Sequence, residues 1–473
     1  MRALLADRNG RRYLIGQLLS VFGDTAMWLA AGIWVKTLTG SNAAAGLTFF
    51  AFGAPSVLAP AAGMLVDRVK KRPLLVATDL ALGASVLLLL LVHGRDQVWL
   101  IYLVMVLYGV AYGVLGSGES ALLREMLPEE LLGNANGILQ TFREGIRLVG
   151  PLAGAGLFAW KGGGAVAIVD ACTFLIAGAA TFSLHVTEVR PQRGEHHWFD
   201  EATAGVRHAW KTTVLRQILI ACLLIIVPFG FYETISFAVV GSGLHKPPTF
   251  LGILASVQGV GAIAGGLTAA AIMKRTTEGA LFAFACLLFA AASLLLTLQW
   301  LPAVIAGALV VGACLPWVLV ALFTLVQRRT PMELQGRAYS AFDTLIGVPQ
   351  TLSIAAGAGL IALVDYRLLL VFAAVMGVVA GLYLLTRDEQ RQPPAQETAA
   401  PPCALPDIEA ADAVTLPIVS AQVAAGTSRV LQISANRAAL GLAIRSCVSR
   451  STLNSPKRLV YPSAHSKLSQ AVQ

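Results

Sequence analysis

The chain has 473 residues, of which 56% are hydrophobic and only 13% charged, and it carries a formal net charge of +9 with a mean hydropathy of +0.71. That balance is too apolar for a soluble domain and reads as a multi-pass membrane protein. A charge of +9 would suggest a nucleic-acid partner in a soluble chain, but here the basic residues sit at alternate ends of apolar runs, so they report topology and no nucleic-acid surface.

A helical crossing needs about 20 apolar residues. Runs of that length lie near 13–38, 43–66, 73–93, 98–123, 137–160 and 164–186, and again near 217–241, 247–273, 278–299, 302–326, 338–362 and 365–386. The expected fold is therefore an all-α membrane protein of about twelve transmembrane helices, since lipid offers no partner to unpaired backbone groups. Arg2, Arg8, Arg11 and Arg12 precede the first run, Arg68, Lys70, Lys71 and Arg72 follow the second, and Arg124 follows the fourth. The same alternation returns with Arg190, Arg193, Arg207, Lys211 and Arg216, with Lys274 and Arg275, and with Arg328, Arg329 and Arg337. The positive-inside rule then places both termini in the cytoplasm of a cell-membrane protein. The first run is too long for a cleaved signal and carries Asp24, so it reads as a retained first helix.

Asp24 in the first run and Glu233 in the seventh are ionisable groups where lipid is expected, and such groups mark candidate functional sites. They share a local frame, Phe22-Gly-Asp24-Thr25 against Phe231-Tyr-Glu233-Thr234, about 209 residues apart. A second internal match follows the fourth and tenth runs. Pro128, Glu130, Leu131, Gly133, Ala135 and Thr141 align without gaps to Pro331, Glu333, Leu334, Gly336, Ala338 and Thr344, an offset of about 203. Self-similarity at that spacing predicts two six-helix halves, 1–186 and 217–387, with a binding site at the midplane between them.

Arg147 and Asp24 each lie about ten residues into their spans, near 15 Å deep at the helical rise, and a pairing between them is expected. Arg143 stands one turn from Arg147 on the same face. Should Asp24 exchange Arg147 for a proton or a cationic substrate, protonation and occupancy compete, which is the minimum for antiport. Asp343 is a third acidic candidate, whereas Asp170 and Glu119, nearer the membrane faces, read as structural. Phe22, Trp28, Trp34, Phe229, Phe231, Tyr232 and Phe237 surround the acids and suit a greasy, aromatic or cationic ligand; packing is the competing reading for such side chains.

The loop after the second run, Gly63-Met-Leu-Val-Asp67-Arg68-Val-Lys70-Lys71-Arg72, resembles the cytoplasmic signature of the major facilitator superfamily. It departs from that pattern at Lys70, where a second glycine belongs, and at Pro73, where a basic residue belongs. Those departures also occur in relatives that resemble drug, macrolide and siderophore exporters. The resemblance, over about residues 10–388, implies a conformational latch built from Gly63, Asp67, Arg68, Lys71 and Arg72; topology anchoring is the plainer reading of the same basic residues. The fifth run holds Gly145, Gly150, Pro151 and Gly154, similar to the glycine–proline motif of antiporters in that superfamily, which favours export over uptake. Physically, small residues at this spacing let helix backbones approach closely.

No Gly-Lys-Ser or Gly-Lys-Thr phosphate loop is present, so the resemblance implies a secondary transporter without cofactor. Four of the six cysteines, Cys172, Cys222, Cys286 and Cys314, fall inside runs without metal-ligand spacing; no metal is expected. The segment 187–216 has Trp198, Phe199, Ala202, Val206, Ala209, Trp210 and Val214 at helical spacing, which predicts an amphipathic helix on the membrane surface. His196-His-Trp-Phe-Asp200 within it is too short a pattern to argue catalysis. Residues 388–473 are Pro-, Ala- and Gln-rich and read as a disordered tail. The expected function is proton-coupled efflux of hydrophobic small molecules by a monomer whose partners are its substrate, protons and the lipid bilayer, as in multidrug resistance. The alternatives are a lipid or siderophore exporter, an uptake carrier, or a silent membrane receptor or scaffold.

Overall fold

The computed structural model describes residues 8–58, 66, 68–126, 129–186 and 206–391, all within one compact unit, Met1–Gln396. The described residues form helices without strands. In chain order these are α1 (Arg8–Thr39), α2 (Asn42–Gly53, continued by a 3-10 segment Ala54–Leu58), α3 (Lys71–Leu87), α4 (Val98–Met126), α5 (Glu129–Lys161) and α6 (Gly163–Phe182). The second series is α7 (Thr213–Ala238), α8 (Leu251–Met273), α9 (Glu278–Leu295), α10 (Leu301–Arg329), α11 (Met332–Leu360) and α12 (Tyr366–Leu385). A short α13 (Asp388–Arg391) follows.

Among the described residues, nine helices are long and apolar enough to cross a membrane. The remaining three positions belong to α2, α5 and α11. The described part of α2 is short, and α5 and α11 begin with polar turns, Glu129-Glu-Leu-Leu-Gly-Asn and Met332-Glu-Leu-Gln-Gly-Arg. These are the helices that join the halves, α2 packing on α7 and α11, and α5 on α8. A helix that borders another bundle need not be apolar all round.

The duplication is visible in three dimensions. Lys71 at the start of α3 pairs with Glu125 near the end of α4 at 3.7 Å; Glu278 at the start of α9 pairs with Arg328 near the end of α10 at 2.5 Å. The same two helix ends are tied together in each half with the charges exchanged. Pro151 of α5 and Pro349 of α11 likewise occupy equivalent helices. At the offset that relates Lys71 to Glu278, Asp79 of α3 is matched by Cys286 of α9. Cys286 is buried and lies within electrostatic reach of the buried Cys222 and Cys314. Both are membrane-depth positions, acidic in the first half and thiol in the second.

Contacts between the halves are made by small residues. A Cβ on Gly46 of α2 would sit 2.1 Å from the Thr234 hydroxyl of α7, and one on Gly252 of α8 would sit 2.5 Å from Ala155 of α5. Ser56 meets Thr351 of α11 at 3.4 Å, and Ser256 of α8 donates to the Leu148 carbonyl of α5 at 3.0 Å. Phe49 packs at a tilt against Trp28 in its own half and against Phe237 across the boundary, with ring centroids 4.5 Å and 6.0 Å apart. Most of these contacts lie toward the face opposite the start of α1.

Two expectations meet differences. The chain does not leave the bundle at residue 388: Gln390 is buried, donating to the Val214 carbonyl at 2.9 Å and to Gln217 at 3.1 Å, so α13 is held against the start of α7. Of the amphipathic segment 187–216, only residues from 206 onward are described; 206–211 are helical, with Ala209 buried and Trp210 exposed. The rest of that segment and the tail beyond 391 lie outside the described residues.

Candidate functional site

One face of α1 explains where the polar groups of the first half gather. Tyr13, Gln17, Ser20 and Asp24 follow one another at spacings of four, three and four, which aligns them along a single stripe of a helix. The first three are buried and Asp24 is half-buried. On α4, Tyr108 and Glu119 are eleven residues apart, three turns, and so also share a face. The two stripes meet.

At the deeper level Tyr108 stands between two carboxyl groups. Its hydroxyl approaches Asp24 Oδ1 at 3.3 Å and also makes a short hydrogen bond to Asp170 Oδ2 of α6. Asp170 is only 1% exposed, and its backbone carbonyl accepts from Thr173 at 2.7 Å. Gly23 makes this closeness possible: a Cβ there would lie 2.2 Å from the Thr173 hydroxyl and 2.5 Å from Asp170 Oδ1. Nearer the face where α1 begins, Arg143 of α5 pairs with Glu119 at 2.8 Å, Gln17 hydrogen-bonds Glu119, and Asp79 of α3 lies within electrostatic reach of Glu119. From Tyr108 to Glu119 the network spans about 16 Å of helix, roughly half of a hydrocarbon core.

The structure gives Asp24 a hydroxyl partner, Tyr108, where the sequence reading paired it with Arg147. Arg147 is exposed on α5, one turn beyond Arg143. Depth does not fix azimuth, and it is Arg143 that turns toward the α1–α4 face, pairing with Glu119. Asp170 and Glu119, read as structural, are in the network. Tyr108, Gln17 and Asp79 escaped sequence reasoning, although Asp79 and Asp170 each interrupt an apolar run and the stripe on α1 was countable.

Glu233 is half-buried on α7, one position before Thr234, the residue that abuts Gly46 across the boundary. Through the contact of Gly32 with Phe237, Glu233 and Asp24 stand about one helical turn apart in depth. Asp343 is exposed on α11. Among the aromatic candidates, Trp28 is half-buried at the boundary, Phe22 is half-buried on α1, and Tyr232 stacks on Phe229 at 6.4 Å. Phe231 is buried against Gly357 of α11 and Phe372 of α12, inside the second half, because its position on α7 points away from α2.

Arg68 is exposed; Lys71 is held by Glu125, and Arg72 lies over the Phe182 ring at 5.2 Å and hydrogen-bonds the Phe182 carbonyl. Gly63 and Asp67 lie outside the described residues. In α5, a Cβ on Gly150 would sit 2.1 Å from the Thr25 hydroxyl and one on Gly154 would sit 2.3 Å from the Ala26 carbonyl, with Pro151 between them; Gly145 faces open space. No group of three or more His, Cys, Asp or Glu side chains suited to a metal occurs among the described residues.

Comparison with known proteins agrees with this architecture. The family model of the Major Facilitator Superfamily matches residues 13–245 and again 234–453. The chain is 22% identical over 364 residues to the uncharacterised MFS-type transporter YvqJ of Bacillus subtilis, covering 74% of this chain and 84% of the relative. It is 26% identical over 303 residues to the lysophospholipid transporter LplT of Serratia proteamaculans, covering 60% and 73%. Over 184 residues it is 25% identical to macrolide efflux protein A of Streptococcus pyogenes, covering 38% and 44%. A bacterial homologue of the iron transporter ferroportin, solved in an inward-facing state, shares the fold with a TM-score of 0.63 at 14% identity, covering 80% of this chain and 98% of that one. With the family model matched in both halves and the fold shared, the chain belongs to the major facilitator superfamily of membrane transporters and is not an enzyme.

Proposed function

We propose that the protein is a proton-coupled exporter of hydrophobic small molecules, acting as a monomer in the cell membrane with both termini in the cytoplasm, and that Asp24, Tyr108 and Asp170 form its proton site. The observation that carries this reading is a hydrogen count. Tyr108 has one hydroxyl proton and faces two carboxyl oxygens, one on each neighbouring aspartate. A phenol donates once, so both contacts are satisfied together only when one of the carboxyls brings a proton of its own. Removing that proton leaves two anionic groups at membrane depth sharing a single donor, a state that favours rearrangement of the helices carrying them.

Coupling follows if the arrangement of α1, α4 and α6 differs between the inward and outward states, because whatever proton occupancy does to the state equilibrium, the state does to proton affinity. The glycine and serine contacts between α2 and α11 and between α5 and α8 are suited to rocking, since small side chains re-form contacts without rotamer changes. Glu233, one turn away in depth on α7, supplies a second carboxylate on the opposite half, and Trp28 with Tyr232 supplies apolar surface for cargo.

The test uses proteoliposomes with an imposed pH gradient and an amphipathic fluorescent dye. Wild-type protein is expected to accumulate dye, a protonophore to stop it, and Asp24→Asn to abolish accumulation while leaving the protein in the membrane. Gradient-driven accumulation by Asp24→Asn at the wild-type rate removes the proposal. A second reading, transport of a single-chain amphiphile, is supported by the named lysophospholipid transporter among the relatives and by a lipid-side opening between α5 and α6. Movement of a spin-labelled lysophospholipid in place of the dye would select it.

A further inference from the structure

Helices α5 and α6 both pack on α1 and only lightly on each other, so a groove runs between them with α1 as its floor. The groove deepens into a cavity of about 210 Å³. Its walls are apolar: Ala153 and Leu157 from α5, Val166 and Val169 from α6, and Phe22 from the floor. Its mouth opens outward, away from the boundary between the halves. Val169 is 39% exposed, and the flanking Leu152 and Ile168 are 43% and 48% exposed, an apolar outer surface that in a membrane meets acyl chains.

The inner end of this apolar cavity is closed by Asp170. One of its oxygens takes the Tyr108 hydroxyl; the other, Oδ1, is buried near the Thr173 hydroxyl, whose single proton goes to the Asp170 backbone carbonyl, so the oxygen receives no full hydrogen bond among the described residues. A buried carboxyl oxygen left without a donor is costly, and a donor arriving from the cavity would relieve it. The position sets the chemistry. An anionic head would be repelled by the carboxylate, and a quaternary head carries no N–H to give. A primary ammonium supplies both charge and donor. At about 30 Å³ for each water-sized group, the cavity holds roughly seven such groups, which fits a primary ammonium and the first several carbons of a chain whose remainder lies in the bilayer.

We infer that the groove between α5 and α6 is a ligand site entered from the lipid side, in which Asp170 receives the primary ammonium head of a single-chain amphiphile. The site is separate from any cargo path between the halves, and it stands whatever the direction or coupling of transport. Its occupant comes either from the membrane, as an amine-headed lipid, or from outside it, as an alkylamine; the shared chemistry is the primary ammonium on an alkyl chain.

The experiment is photolabelling of the full chain in nanodiscs with a long-chain primary amine that carries a diazirine a few bonds from the nitrogen, with the labelled peptides identified by mass spectrometry. Label is expected on the peptides carrying Ala153, Leu157, Val166 and Val169. It should be competed by untagged alkylamine and fall about tenfold, or 1.4 kcal/mol, in Asp170→Asn and for the trimethylammonium and sulfonate forms of the same chain. Ala153→Trp, which fills the mouth without touching the carboxyl, should also lose the label, and Val169→Phe repeats this test should the tryptophan variant not fold. Nanodiscs with and without an amine-headed lipid separate the two sources: competition by the lipid assigns the site to membrane lipid, and its absence assigns the site to free amines. Equal labelling by the quaternary chain, labelling indifferent to Asp170→Asn, or label confined to α2, α7 and α8 overturns the inference.

Discussion

Replacing Tyr108 by phenylalanine isolates the group on which the proton site depends. The ring should stay where it is, packed 5.6 Å from Phe174 and 6.5 Å from Phe52, so no cavity opens and only the hydroxyl oxygen is lost. Asp170, 1% exposed, then has only the neighbouring Thr173 hydroxyl, already engaged by the Asp170 backbone carbonyl, beside its carboxyl, and Asp24 loses its 3.3 Å contact. A hydrogen bond to a charged or buried group contributes about 1.5–3 kcal/mol, which is a factor of roughly 10–100 in the equilibrium that the bond biases. Proton release from the aspartates becomes harder by that factor, so accumulation against a gradient should fall at least about tenfold. Downhill equilibration of the same dye does not need the proton cycle and should persist. Both fluxes can be read on one proteoliposome preparation, with size-exclusion profiles confirming equal folded protein. Wild-type coupling in Tyr108→Phe refutes the argument, and so does parallel loss of both fluxes in well-folded protein, because the hydroxyl would then serve cargo passage and not the proton.

Other predictions test the supports of that site. Gly154→Leu should prevent α5 from seating on α1, because even its Cβ would lie 2.3 Å from the Ala26 carbonyl, whereas Gly145→Ala, facing open space, should leave detergent-solubilised yield and thermal stability unchanged. Arg328→Ala leaves Glu278, 4% exposed, without its partner and should destabilise by about 2 kcal/mol, less than for a fully buried pair because the arginine is half exposed. The double replacement Glu278→Gln with Arg328→Gln should recover most of that loss in thermal unfolding. Gln390→Ala, which removes the bonds to Val214 and Gln217, should raise protease access to the end of α12 without altering transport by the folded fraction.

The sequence made the number of helices and the duplication legible because both depend on quantities it carries directly: run length, and the recurrence of residues at a fixed offset. It also marked Asp24, since an acid in an apolar run is conspicuous by itself. The partner of Asp24 was not legible. A span offers several acids and arginines at comparable depth, and which of them meet depends on how each helix is rotated about its axis, a property set by packing against neighbours. Gly23 illustrates the point. Next to Asp24 it looks like one of many membrane glycines, yet it is what lets α6 bring Asp170 and Thr173 against α1.

The enclosure of Asp170 and Glu119 was illegible for a different reason. Both lie nearer a membrane face than Asp24, but depth along the normal says nothing about distance from the bundle axis. Asp170 lies only seven residues into α6 and is nevertheless almost fully enclosed, because α1 and α3 pack on α6 and Tyr108 of α4 reaches across to it. The stronger signal was periodicity: Tyr13, Gln17, Ser20 and Asp24 form a polar stripe that lipid would not tolerate, so α1 had to meet another polar face, and Tyr108 with Glu119 on α4 is the face at matching spacing. A polar stripe on a membrane helix therefore predicts its partner helix by register, where a single buried acid predicts only that some partner exists.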